Sequence, residues 1–304
     1  MVNFEYFGES AALTAAIFWS FAVIVFRSAS KSISPFLITA LKNTIAFIAF
    51  ILTFIVLDIP LWYNMLSAND YIKIIISGSL GMGFADAIFI YALSKIGANR
   101  VAVVNSFEPV SIYFFSSFML GTMLTIQQLI GFMVVVASIL IINYEKDADD
   151  INPKVKKRGM FLQVFAVLLS SFGIVLIKPV LSKVGSFVEV QLWITVFRLL
   201  PGVIIAWIIF LFQKNKIKLL YPLKNFKILW KVLLSSGLGT FLALSFWIIG
   251  YANISKPPIA SILGQSSAVF IVILAWIFLK EKISKIRIIS ILLASFGVYL
   301  SVLR

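Results

Sequence analysis

Residues 78–93 read GSLGMGFADAIFIYAL, and residues 236–251 read SGLGTFLALSFWIIGY. Both stretches begin with closely spaced glycines and continue as runs of apolar and aromatic residues. Other stretches pair in the same order along the chain: WSFAVIVFR (19–27) with SSFGIVLIK (170–178), and FMLGTMLT (118–125) with IFLKEKIS (277–284). A sequence that repeats in order over both halves predicts two similar structural units.

The apolar residues of both halves occur in runs that are long enough to cross a membrane. Of the 304 residues, 61% are hydrophobic and only 12% are charged, whereas about 25% are charged in soluble domains. A helix of about 20 apolar residues spans the hydrocarbon core of a bilayer. We therefore predict an all-α integral membrane protein with ten transmembrane helices at 9–27, 34–57, 71–94, 99–120, 126–144, 159–178, 187–212, 229–250, 257–279 and 286–303.

Ten helices divided between two units give each unit five helices, which is an odd number. The two units then cross the membrane in opposite senses, which is the inverted repeat of many secondary transporters. We predict a first five-helix repeat at 1–146, a polar linker loop at 147–158 and a second five-helix repeat at 159–304. In such proteins the substrate binds near the midplane of the membrane, where the repeats meet.

The composition excludes several kinds of chemistry. The chain has no cysteine and no histidine, which excludes Cys/His zinc sites and catalytic dyads that need either residue. The net charge of +14 is explained by basic cytoplasmic loops, and we expect no nucleic-acid partner. The motifs GxxxxGK[ST] and GxGxxG are absent, so we predict neither ATP-driven transport by this chain nor a cofactor.

Two basic residues stand deep inside matching spans. Residues 39–42 (TALK) align with residues 195–198 (TVFR), so that Lys42 has a counterpart in Arg198. Polar faces of membrane helices point to the bundle interior or to a wet cavity rather than to lipid. The two cations are therefore candidates for binding a carboxylate or a phosphate. The alternative is that they snorkel to an interface or lock helices together through ion pairs.

Two acids accompany these cations inside the spans. Asp86 aligns with Leu244, and Glu108 aligns with Ser266 or Ser267, so neither acid has an acidic counterpart. An ionised group near the midplane costs at least about 2.5–3.5 kcal/mol, and the two acids and two bases sum to zero charge, which predicts mutual pairing. The acids are candidates for binding an amine or a proton, and a purely structural role is the alternative.

The fourth span contains a proline beside its acid. Pro109 cannot donate a hydrogen bond to the carbonyl of Asn105, so we expect a helix kink with a free acceptor next to Glu108. Gln265 lies on the opposing ninth span, and the aromatic residues Trp19 and Tyr251 lie inside other spans. These residues complete the predicted substrate- or ion-binding set, although aromatic residues of spans also serve packing.

The sequence resembles the drug/metabolite transporter superfamily, in particular its EamA-type ten-helix members. The resemblance lies in Trp19-Ser20, in the deep basic residues Lys42 and Arg198, in Glu108-Pro109, and in the ends of the fourth and ninth spans, where Glu281 is retained and Thr122 replaces the acid. It implies alternating-access transport of small organic molecules, often amino acids or other metabolites, commonly outward and often coupled to protons or exchange.

The distribution of basic residues predicts the orientation in the membrane. The side that the termini share carries five basic residues, Lys73, Lys178, Lys183, Lys256 and Arg304, whereas the loops of the opposite side carry nineteen. Because basic loops stay in the cytoplasm, we predict that both termini lie outside it, in the plasma membrane. Relatives in the superfamily usually keep both termini in the cytosol, so this prediction departs from the resemblance.

Three functions remain to be weighed. The favoured one is a secondary carrier, not an enzyme, for a small polar metabolite in a lipid bilayer, with protons as a further partner. A membrane-embedded enzyme or lipid-handling protein would use clustered acids such as Asp147, Asp149 and Asp150, which are better interpreted as part of a solvated loop. A channel lacks the repeated filter residues of subunit pores.

Overall fold

The computed structural model describes residues 6–61, 63, 65–105, 107–143, 152–185, 187–270, 273–274 and 285–302. Within this part of the chain the regular structure is entirely helical. The helices are α1 Phe7–Ser30, α2 Pro35–Val56, α3 Ala68–Gly78, π1 Ser79–Ala85, α4 Asp86–Asn105, α5 Glu108–Leu120, α6 Ile126–Asn143, α7 Pro153–Lys183, α8 Val188–Leu211, α9 Lys216–Leu220, a 3-10 turn Tyr221–Lys224, α10 Phe226–Ser235, π2 Ser236–Ala243, α11 Leu244–Asn253, α12 Pro257–Gln265 and α13 Lys285–Val302.

Six helical segments are long and apolar enough to cross a membrane. They are Phe7–Ser30, Pro35–Val56, Ala68–Gly97, Pro153–Lys183, Val188–Leu211 and Phe226–Asn253. Shorter apolar helices cover Ile126–Ser138 and Ile288–Ser301. The predicted end of the ninth span, with Glu281, and the acids of the linker, Asp147, Asp149 and Asp150, lie outside the described residues.

A π-helical segment interrupts the third span of each half. The alignment that matches residue 78 with residue 236 brings π1 (Ser79–Ala85) almost onto π2 (Ser236–Ala243). π-Helical turns widen the hydrogen-bonding ladder and are frequent at functional sites. The glycine-rich stretches with which the sequence repeat begins therefore share an irregular backbone as well as their composition.

The fourth span of each half is broken rather than continuous. The chain turns at Gly97, where φ is 79°; α4 then ends at Asn105, and α5 begins at Glu108. In the second half α12 ends at Gln265, and helical structure resumes at Ser267. In the first half the break lies beside the proline: Pro109 is the second residue of α5, where its missing N–H costs nothing.

The two halves pack reciprocally. α1 lies against α10, π2 and α11, just as α7 lies against α3, π1 and α4; α2 contacts π2, and α8 contacts π1. α6 and α13 also pack together and run antiparallel, because Gln127 Nε2 donates to the Leu300 carbonyl and Gly131 meets Gly297. α2 and α8 run antiparallel as well, since Trp207 reaches Thr44 while Trp193 reaches Leu61.

Glycines allow these helices to approach closely, as small residues do in membranes. A side chain at Gly78 would meet the backbone carbonyl of Arg198, and one at Gly239 would lie 2.8 Å from Ala22 Cβ. Gly237, in contrast, has nothing within 4 Å of the position of a Cβ. Close packing thus accounts for some of the repeated glycines but not for Gly237.

One prediction about span ends was wrong. The sixth span was expected to end at Lys178, but α7 continues through Pro179 to Lys183. Lys178 is therefore a buried residue of the helix, 5% exposed, and not a charge of a loop. The reason is that its ammonium group is hydrogen-bonded inside the protein, so the helix need not end where the charge occurs.

Candidate functional site

The candidate site begins with an ion pair between α2 and α4. Lys42 Nζ donates to Asp86 Oδ2 at 2.5 Å and to Asn43 Oδ1 at 3.0 Å. Asn43 Nδ2 in turn donates to the carbonyl of Met82, in π1, at 2.9 Å. The Lys42 side chain is 3% exposed and the Asp86 side chain 25%. The ammonium charge is therefore neutralised within the first half, and the polar network is anchored on the π-helical backbone.

Arg198, the counterpart of Lys42, is held differently. Its Nε donates to Ser77 Oγ at 3.0 Å, and Ser77 Oγ donates to the carbonyl of Gly173 at 2.5 Å. Its Nη1 is buried and has no hydrogen-bond partner within the described part of the chain. The guanidinium interacts electrostatically with Asp86 and Tyr251. Among the described residues Arg198 thus keeps a charge that no carboxylate neutralises by direct contact.

Glu108 joins the two broken spans. It is the first residue of α5, and its Oε2 accepts a hydrogen bond of 2.7 Å from Nε2 of Gln265, the last residue of α12. A carboxylate at a helix N-terminus is favoured by the helix dipole and the unpaired N–H groups there. The broken ends of the two fourth spans therefore meet through a polar contact between the halves.

Tyr251 lies next to this contact. The side chain is fully buried, its ring is 5.7 Å from that of Trp247, and its hydroxyl has no hydrogen-bond partner within the described part of the chain. Tyr251 lies within electrostatic range of the charges of Arg198 and Glu108. It therefore connects the basic and the acidic side of the site.

Asn105 and Trp19 lie away from the charged cluster. Asn105 Oδ1 accepts a hydrogen bond of 2.7 Å from Nε2 of Gln163, on α7, so the amide joins the two halves. The Trp19 ring packs 6.0 Å from that of Phe89 and 6.5 Å from that of Phe26. Asn105 and Glu108 thus bind different partners, although they are only three residues apart in the sequence.

The structure brings most of the predicted residues into one cluster. Lys42 and Asp86, Arg198, Tyr251, and Glu108 with Gln265 follow one another through direct or electrostatic contacts. Pro109 stands at the start of α5. Mutual pairing was expected of the four charged residues: Lys42 pairs with Asp86, whereas Glu108 binds the Gln265 amide and Arg198 binds the Ser77 hydroxyl.

Sequence reasoning missed four residues that build this region. Ser77 orients Arg198, Asn43 anchors Lys42, Gln163 binds Asn105, and Lys178 binds backbone carbonyls of α11. Each is a polar side chain in an otherwise apolar span, and this pattern could have identified it as a candidate from the sequence. Among the described residues no group of three or more His, Cys, Asp or Glu side chains could hold a metal ion.

Comparisons with known proteins match the whole chain. The family model described as "EamA-like transporter family" matches residues 6–144 and, a second time, residues 157–303. A solved structure described as "Crystal structure of protein" shares the fold, with a TM-score of 0.76 at 17% sequence identity, over 97% of this chain and 96% of that chain. No curated protein matches the sequence.

Proposed function

We propose, from the premise that the chain belongs to the EamA-like transporter family, that it is a secondary active transporter of a small polar organic metabolite. Membership in a transporter family, with several apolar helices, makes it a multi-pass membrane transport protein. The finer proposal is alternating access for an amino-acid-like substrate, in the direction of export and with coupling to protons or exchange.

The proposed architecture is ten transmembrane helices in two inverted repeats, 1–146 and 159–304. Three observations support it: π1 and π2 occupy matching positions, the fourth span of each half is broken at matching positions, and matched helices such as α6 and α13 run antiparallel. Discontinuous helices at the midplane are a recurring way to build substrate sites in such carriers, because free helix ends face the substrate.

The observation that carries the proposal is the Glu108–Gln265 contact at 2.7 Å between the two broken spans. Arg198, with its unpartnered Nη1, interacts with Tyr251, and Tyr251 interacts with Glu108. We assign Arg198 to the carboxylate of a zwitterionic substrate and Glu108 to its amine or to a coupled proton. Lys42 and Asp86 neutralise each other and support the site.

Transport into liposomes tests this function. Purified protein is reconstituted with an internal unlabelled solute and supplied with the labelled solute outside, over a panel of amino acids, nucleosides and sugars. We expect saturable, counterflow-stimulated uptake of at least one amino-acid-like solute. Protein that folds but carries none of the panel would contradict the proposal.

Glu108→Gln tests the role of the Glu108 charge in transport while keeping the hydrogen bond that supports the fold. The amide oxygen that it introduces still accepts from Gln265, but the negative charge is lost, so we expect uptake to fall about 100-fold, as for loss of a charged contact of about 3 kcal/mol. The matched control is Glu189→Gln, at an exposed acid in the first turn of α8, which should transport as the parent protein does.

A further inference from the structure

Lys178 is a buried charge outside the proposed site whose ammonium group makes three hydrogen bonds. Its Nζ donates to the carbonyls of Tyr251 at 2.6 Å, Ala252 at 3.1 Å and Ile254 at 2.6 Å. These carbonyls lie at the end of α11, which finishes at Asn253. The last carbonyls of a helix have no partner within it, and a cation there is also favoured by the helix dipole. Lys178 satisfies both needs from a neighbouring helix.

The same ammonium group holds a side chain as well as a backbone. Lys178 Nζ lies 5.3 Å from the centroid of the Tyr251 ring, within the range of a cation–π contact. Trp247 packs on the ring at 5.7 Å. The ring is therefore fixed from the backbone and from its face. Its hydroxyl is buried without a described hydrogen-bond partner and lies within electrostatic range of Arg198 and Glu108.

This arrangement occurs in one half only. The repeat matches Lys178 with Arg27 and Tyr251 with Leu93. Arg27 is exposed at the end of α1, and a leucine has no hydroxyl to present. The lysine and the tyrosine therefore make the site chemically different on its two sides, which suits a substrate with two different ends.

From these contacts we infer that Lys178 is a positioning residue, which holds the Tyr251 hydroxyl beside Arg198 so that both groups receive the anionic end of the substrate. This inference rests on the proposed transport function. Lys178 itself does not touch the substrate; it acts through the backbone and the ring of Tyr251. The hydroxyl donates one hydrogen bond, and the Arg198 Nη1 donates another.

The transport test is a double-mutant cycle with Lys178→Met and Tyr251→Phe. Each single variant should raise the substrate concentration for half-maximal counterflow about tenfold, the effect of losing one hydrogen bond to a charged group, with the maximal rate largely retained. The double variant should be no worse than the worse single, because both remove the same contact. Lys178→Arg, which keeps the donors and the charge, should stay within about threefold of the parent.

Two outcomes overturn the inference. In the first, the effects of Lys178→Met and Tyr251→Phe multiply in the double variant, which indicates independent roles. In the second, Lys178→Met leaves the substrate concentration for half-maximal counterflow unchanged. Lys178→Gln replaces Lys178→Met if the latter does not fold. Lys73→Met, at a partly exposed lysine of α3, is the control and should leave both parameters unchanged.

A second readout needs no substrate. Tyr251 is 0% exposed, whereas Tyr221 is 56% exposed. After treatment of the purified protein with tetranitromethane, mass spectrometry should find Tyr221 nitrated and Tyr251 protected, and Lys178→Met should expose Tyr251 to nitration. Continued protection of Tyr251 in that variant overturns the inference. An absence of transport by the parent protein would instead count against the proposed function, and the nitration result would still decide the role of Lys178.

Discussion

The buried cations of this bundle differ in how many hydrogen-bond partners they have. Lys42 has Asp86 and Asn43, and Lys178 has three carbonyls. Arg198 has a hydroxyl on Nε and nothing on Nη1 among the described residues. An unsatisfied buried donor costs about 1–3 kcal/mol. An anion bound to Arg198 Nη1 would remove this cost.

The Lys42–Asp86 pair should behave as a structural unit. We expect Asp86→Asn to lower the free energy of unfolding by about 3–5 kcal/mol, because it leaves a buried ammonium group without its counter-ion. The double variant Lys42→Met/Asp86→Asn removes both charges and should recover most of this loss. Thermal unfolding in detergent measures it, with Asp58→Asn, at an exposed loop residue, as control. A single variant as stable as the parent would show that the pair is not structural.

At the scale of elements, the irregular segments carry the close contacts between halves. α8 lies against π1, and α2 lies against π2. Met82 in π1 offers its carbonyl to Asn43, and the residue before π1, Gly78, faces the backbone of Arg198. π1 thus supplies the carbonyl that anchors Asn43 beside Lys42, and the glycine before it sets the distance to α8.

Two glycines offer a matched pair of substitutions. Gly78→Ala places a methyl group on the Arg198 carbonyl, so either α3 or α8 must shift, and we expect a loss of about 1–3 kcal/mol of stability from overpacking. Gly237→Ala, with nothing within 4 Å of its Cβ position, should be neutral. Thermal unfolding of both variants checks this. Equal effects of the two substitutions on stability would contradict a role of Gly78 in close packing.

An ion pair joins α3 of the first half to α7 of the second half on the side of the termini. Lys183 Nζ lies 2.8 Å from both carboxylate oxygens of Asp70, whose side chain is 1% exposed, against 55% for Lys183. On the opposite side the corresponding contact, between α10 and α1, is a single hydrogen bond from Lys231 to Ser28. Of these two contacts, only the one on the side of the termini joins opposite charges.

Removing this pair should favour opening on the side of the termini. Such an exposed partner contributes about 0.2–1 kcal/mol, which changes a conformational ratio up to about fivefold. The chain has no cysteine, so Ser261→Cys, at a buried residue of α12, gives a clean reporter. We expect Lys183→Met to raise its rate of maleimide labelling up to about fivefold, and Lys73→Met to leave the rate unchanged. A labelling rate unaffected by Lys183→Met would show that the Lys183–Asp70 pair does not hold this side of the protein closed.

For the whole molecule, local patterns predicted the all-helical, apolar character of the chain and its family, but not the contacts between halves. Apolar runs determine where helices such as α2 and α8 lie, because each must satisfy its backbone within lipid. The partners of Asn105 and Lys178 come from helices distant in sequence, so no local pattern encodes them. The π segments could not be predicted from the sequence, since an irregular hydrogen-bonding ladder depends on the neighbouring helix. Gln163 is an isolated polar residue in an apolar run, and its role became visible only with its partner, Asn105.

We predict the orientation of the whole molecule from its charges, and the burial of one lysine adds to this prediction. With Lys178 buried in α7, fewer basic side chains remain for the loops on the side of the termini, while the opposite side keeps the lysines around α9. Because basic loops stay in the cytoplasm, both termini should lie outside.

Two isosteric substitutions in the cysteine-free chain test this orientation. Ser255 lies between α11 and α12, on the side of the termini, and Ser32 lies between α1 and α2, on the opposite side; both are exposed. In intact cells a membrane-impermeant maleimide should label Ser255→Cys directly and Ser32→Cys only after permeabilisation, because the bilayer separates the two loops. The parent chain, with no cysteine, provides the blank. The reverse pattern would place the termini in the cytoplasm and would mean that the excess of basic loops does not set the topology of this protein.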